Sequence, residues 1–178
     1  MEEDYEILLV PHDRLGVIIG RGGATKKEIE ARTGTKIAID TSEGEVEITR
    51  KGDALGYLKA MRIVKAIARG FSPEKAFRLL DEECIFELIE LQETLGKNES
   101  RMKAKKGRVI GAHGMARGEI EEDTGANISV YGKTIGIIGK EEQVEKAKKA
   151  VEMLLGGAAH PMVFSSLRRG MRGERFDL

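Results

Sequence analysis

Apolar residues recur along this chain with two periods. Residues 36–40 and 45–49 alternate apolar and polar side chains, as strands with one buried face do, and Glu43-Gly44 between them marks a hairpin. Residues 5–10 read as a further strand, and Pro11 opens a short helix that runs toward Ile19. A second helix over residues 24–32 stops at Gly34, a residue suited to a left-handed helix end. Past Gly52, Leu55, Leu58, Met61, Ile63, Val64 and Ile67 largely follow helical spacing, which predicts a long helix with a core-facing stripe that ends at Gly70.

The pattern then returns. Gly16-Val17-Ile18-Ile19-Gly20-Arg21-Gly22-Gly23 aligns with Gly107-Arg108-Val109-Ile110-Gly111-Ala112-His113-Gly114 at an offset of 91 residues. Glu28-Ile29-Glu30 pairs with Glu119-Ile120-Glu121, Thr33-Gly34 with Thr124-Gly125, and Ile37 with Ile128, giving 10 identities in 22 positions. So long a match indicates an internal repeat. The second copy predicts a strand over 85–91, a longer first helix over 99–109, a tighter hairpin at Gly132-Lys133, and a closing helix with Val144, Ala147, Val151, Leu154 and Leu155 on one stripe. The expected organisation is a first module over 1–70, a helical linker over 71–82, a second module over 83–157 and a basic tail over 158–178. Ser72-Pro73-Glu74 starts the linker helix. The tail, with Arg168, Arg169, Arg172 and Arg175 and no clear period, reads as partly disordered.

Composition narrows the function. The 178 residues carry equal numbers of acids and bases, so any polyanion must be met by local patches rather than by net charge. One such patch is the run Lys97, Arg101, Lys103, Lys105, Lys106 and Arg108, against the single acid Glu99, while residues 81–93 hold six acids and no base. No apolar tract is long enough to span a bilayer, and the acidic start Met1-Glu2-Glu3-Asp4 is unlike a secretory signal, so a cytoplasmic protein without membrane partners is expected. Cys84 is the sole cysteine and falls in a predicted strand, which leaves a buried structural thiol.

The repeated Gly-x-x-Gly carries the chemistry. Glycines between two helices let backbone amides approach a ligand, and the amides that open the second helix favour an anion. This arrangement resembles a KH domain, which holds about four nucleotides of single-stranded nucleic acid. The expected fold class is therefore α+β, two tandem type I KH domains in the order β-α-α-β-β-α, each with a three-stranded antiparallel sheet on three helices. In copy one the RNA-binding residues are Gly20, Arg21, Gly22 and Gly23, with Lys26 and Lys27 adding charge. In copy two they are Gly111, Ala112, His113 and Gly114, with Arg108 before and Arg117 after the loop. Ile18, Ile19, Val109 and Ile110 are candidates for an aliphatic groove floor, and Ile29, Ile37, Ile120 and Ile128 for the core. Aromatic residues make up 4% of the chain with no Trp, which disfavours a reader built on stacking platforms.

Other phosphate-cradling motifs fail on spacing, and no nucleophile stands with a base, so neither an enzyme nor a cofactor is expected. His12 and His160 have no partners at metal-ligand spacing. The rival reading is an adaptor in translation or RNA processing that uses its KH folds as scaffold and its acidic segment to hold a protein. Three features carry a closer match: the tandem pair, which many RNA-binding proteins share, and two that discriminate, the run Ile128-Ser129-Val130-Tyr131-Gly132-Lys133-Thr134-Ile135 and the tail pattern of Pro161, Val163, Phe164, Leu167 and Arg168. In these the chain resembles the archaeal relatives of the KRR-related, partner-of-Nob family of small-subunit ribosome assembly factors. The resemblance implies binding near the 3′ end of small-subunit ribosomal RNA, with a Nob-type endonuclease as partner; on the adaptor reading the partner is a translation factor. Eukaryotic members look to have lost the first Gly-x-x-Gly, which is intact here, so both modules are expected to bind. Ala112-His113 also departs from the basic residues usual at those places.

Overall fold

The structure, a computed structural model, describes residues 3–176, with side chains described through 170. Met1, Glu2 and the side chains of Arg172 and Arg175 thus lie outside the described residues. The chain divides into two compact units, Met1–Glu82 and Glu83–Leu178.

In the first unit, β1 (Tyr5–Leu9) leads into α1 (His12–Ile19), a 3-10 turn over Arg21–Gly23, α2 (Ala24–Thr33), the hairpin β2 (Thr35–Asp40) and β3 (Glu45–Arg50), and α3 (Ala54–Ala68). The sheet is antiparallel in the order β1-β3-β2, with Ile37 opposite Ile48 and Leu8 opposite Val46. Alternation turns Ile37, Val46 and Ile48 toward the helices, where Ile18, Ile29, Ile63 and Ile67 complete a fully buried core. Each such side chain contributes about 2 kcal/mol by leaving water. The α3 stripe is narrower than its spacing suggests: Leu55 and Leu58 are 45% and 43% exposed, and burial begins at Ala60.

The expected linker is part of this unit. Residues Pro73–Ala76 form α4 and continue into a 3-10 turn at Phe77–Leu80 that packs on α3, with Phe71, Ala76 and Leu79 buried. The Ser72 hydroxyl accepts from the Lys75 amide and caps α4.

The second unit repeats the order and adds to it. After β4 (Cys84–Glu90), shifted by one residue from the expected 85–91, residues Leu91–Leu95 form a short helix α5 that buries Leu91 and Leu95. Then follow α6 (Glu99–Ile110), a 3-10 turn over Ala112–Gly114, α7 (Met115–Thr124), β5 (Asn127–Tyr131), β6 (Thr134–Lys140) and α8 (Glu141–Leu155). Its sheet has the equivalent order β4-β6-β5.

The tail is helical, not disordered: His160–Phe176 form α9, packed on α7 and α8. Val163 is fully buried in the core of the unit, while Phe164 and Leu167 are partly buried against it. Burial of Val163 at about 2 kcal/mol outweighs the exposed ion pair of Arg168 with Glu119, a class of contact that contributes about 0–1 kcal/mol. Four arginines hid this apolar stripe in the sequence. No described helix is long and apolar enough to cross a membrane.

Candidate nucleic-acid interface

The two Gly-x-x-Gly loops have the same backbone. Gly20 and Gly111 share φ 73° with ψ 174° and 175°, Gly22 (60°, 24°) matches His113 (55°, 27°), and Gly23 (79°, 12°) matches Gly114 (73°, 14°). His113 is the one non-glycine residue at positive φ among the described residues, so the second loop takes its shape against a steric preference.

The first glycine of each loop has a packing duty. A Cβ on Gly20 would lie 2.7 Å from the Thr25 amide nitrogen, and one on Gly111 2.8 Å from that of Ala116. Gly20 and Gly111 are thus required by the fold itself, so their presence does not separate an RNA clamp from a scaffold. The ligand-binding case rests instead on the helix ends. The N-termini of α3 and α6 are closed by side chains, Asp53 accepting from the Gly56 amide at 2.6 Å and Asn98 from the Arg101 amide at 2.9 Å. Neither α2 nor α7 has a side-chain cap; Gly23 and Gly114 stand there instead. First-turn amides and the positive end of the helix dipole therefore face outward at both loops.

Cations flank these ends unevenly. Arg21 is exposed, and Lys27 passes beside Gly23, its Cε 3.8 Å from a Cβ built there. Lys26 lies 3.7 Å from the Glu30 carboxylate. In the second loop Ala112 and His113 are exposed, and the Arg117 guanidinium comes within 3.8 Å of a Cβ built on Gly114 while its Nε lies 3.7 Å from Glu121. Arg108 does not join them. It is half-buried and donates to the carbonyls of Leu154, at 3.1 Å, and Ala158, closing the C-terminal end of α8. His160 approaches the Arg108 carbonyl at 2.7 Å, so α9 starts beside that turn.

Beside the helices that follow the loops stand the edge strands β2 and β5. The Glu30 carboxylate accepts the Ile37 amide at 2.9 Å, and Glu121 accepts the Ile128 amide at 3.2 Å, one position in two copies. That bond fixes α2 beside β2 and α7 beside β5. An amide that donates to a helix points away from its own ladder, so by alternation the main-chain groups of Ile39 and Val130 also point outward, able to pair with a base edge. The sequence displayed Glu-Ile-Glu twice without revealing this organising role. Ile18 and Val109 are fully buried and are core, leaving the half-buried Ile19 and Ile110 beside the loops. Among the described residues no three His, Cys, Asp or Glu side chains could hold a metal ion.

Comparison with known proteins agrees with the two-KH fold. Residues 85–172 match the family model described as a eukaryotic-type KH domain, KH-domain type I, and residues 5–66 match the KH domain model. The first match extends through most of α9, which is therefore part of the module rather than an appendage. A KH domain-containing protein of Methanocaldococcus jannaschii is 44% identical over 99% of this chain and 80% of its own length. The pre-rRNA-processing protein PNO1 of Chaetomium thermophilum is 28% identical over 59% of this chain and 41% of that protein. Among solved structures, an a/eIF2alpha–aDim2p–rRNA complex from Pyrococcus horikoshii contains a chain 46% identical to this one, with a TM-score of 0.89 over 96% of both.

Proposed function

The chain belongs to the archaeal KH-domain proteins homologous to PNO1 and Dim2p, the rRNA-processing family, and we propose that it holds single-stranded RNA with two Gly-x-x-Gly clamps at the 3′ end of small-subunit ribosomal RNA. One observation supports the clamps: the two loops share one backbone, each at the uncapped start of a helix that packs beside an edge strand. Phosphates sit on the amides of Gly23 and Gly114 and on the turns that follow, with Arg21, Lys27 and Arg117 supplying charge. The rRNA in the Pyrococcus complex supports RNA as the ligand. No bond is made or broken in this role. The protein positions RNA in the cytoplasm for a processing enzyme of the Nob endonuclease type.

The adaptor reading has one observation in its favour. Tyr5, Ile7 and Leu9, alternate residues on the edge strand β1, are 62%, 46% and 78% exposed, an apolar row suited to a protein partner. The a/eIF2alpha in the Pyrococcus complex makes a translation factor the natural candidate.

Both readings meet in one titration of a 3′-end RNA, at stated salt, with wild type, Gly22→Asp, His113→Asp and the double variant. Each acid places negative charge where a phosphate belongs. Additive losses support two clamps; undiminished binding by the double variant leaves the scaffold.

A further inference from the structure

The hairpins of the two sheets differ in charge. In the second unit, Ile110, Lys106 and Lys103 follow one another on α6 at steps of four and three residues and so form one stripe, leading about 10 Å away from the loop. The Lys106 ammonium donates to the Gly132 carbonyl at 2.8 Å, at the tip of the β5–β6 hairpin. Lys133 stands exposed at that tip, its own carbonyl fixed by the Leu91 amide at 2.9 Å. Neither Lys103 nor Lys133 forms an ion pair among the described residues. Glu99, four residues before Lys103, bounds the stripe. Glu90, in register with Thr134, follows the core residue Ile89 and so lies on the opposite face of the sheet.

The first unit has the opposite arrangement. His12 and Leu15 occupy the places of Lys103 and Lys106 in the repeat, and His12 contacts the Ser42 carbonyl at 3.2 Å. Its hairpin carries Asp40, Glu43 and Glu45. The Asp40 carboxyl is held below its usual range by the Ser42 hydroxyl and by the Glu43 and Ser42 amides, so this tip stays anionic.

We propose that Lys103, Lys106 and Lys133 form a phosphate-binding extension of the second clamp, so that the second unit holds a longer stretch of single-stranded RNA than the first, whose acidic hairpin repels the strand at the corresponding place. The proposal rests on the clamp reading above and deepens it.

The test uses the full chain carrying Gly22→Asp, so that the second unit reports alone, with single-stranded RNAs of 5 and 12 nucleotides. Lys103→Glu with Lys133→Glu, both at exposed positions, should weaken the 12-mer at least tenfold. The slope of log K against log salt should fall by about 1.4, because each of two phosphates left without its lysine takes about 0.7 from it. Binding of the 5-mer should stay within twofold. Equal weakening for both lengths, or none for either, overturns the extension. His113→Asp in the same background separates the two ideas: if it leaves both RNAs bound, the clamp reading itself has failed, whatever the lysines do.

Discussion

In the first unit the C-terminal carbonyls of α3 are held by Arg14, which donates to Ile67 and Phe71 at 2.8 Å each; in the second, the carbonyls of Leu154 and Ala158 at the end of α8 are held by Arg108. The acceptors correspond, but the donors do not. An offset of 91 carries Arg14 to Lys105, three residues before Arg108. A long guanidinium can reach the same carbonyls from either of two adjacent helical turns, so the role moves along the helix while the backbone stays. Contrast the carboxylates Glu30 and Glu121, whose targets lie one short side chain away and which remain in strict register. Flexible side chains blur a repeat that backbone geometry keeps sharp. Arg108, expected at the RNA by its place beside a loop, directs its guanidinium to the carbonyls of Leu154 and Ala158.

Four sets of substitutions test this correspondence, in order of falling magnitude. Gly20→Ala and Gly111→Ala each force a Cβ against a main-chain nitrogen at positive φ, and should cost about 3 kcal/mol or more in denaturant unfolding of the unit concerned; equal and negligible losses would mean the loops relax freely. Arg108→Ala should cost about 2 kcal/mol by leaving two carbonyls without their charged donor. Lys105→Arg added to it should recover part of that stability by restoring the Arg14 arrangement, and RNA affinity at low denaturant should stay within threefold in both. A stability-neutral Arg108→Ala that abolishes RNA binding would return this residue to the clamp.

Arg21→Ala is the converse case. The side chain is exposed, so the midpoint of unfolding should hold, while RNA binding weakens about fivefold and the salt slope drops by about 0.7. Smallest is His113→Gly, which removes a Cβ from a left-handed residue and should stabilise the second unit by about 0.5–1 kcal/mol in the same unfolding measurement. A destabilised variant would show that the imidazole makes a compensating contact.

Much of this molecule is legible in the chain itself. The repeat, the order of elements, the two loops and the core-facing isoleucines Ile29, Ile37, Ile120 and Ile128 all follow from glycine positions and from periods of two and 3.6, which are local properties of a chain. Which distant residues lie beside one another was settled by packing alone. Packing placed Leu55 and Leu58 at the exposed start of α3, drew Phe71 and Leu79 from an expected linker into the core, and folded the arginine-rich tail onto the second unit through its own Val163. It also aimed Arg108 at a helix end and Lys106 at a hairpin tip. A residue's spacing to its neighbours reports the helix it sits on; the carbonyl its long side chain reaches, 26 or 46 residues away, depends on packing that no local pattern encodes.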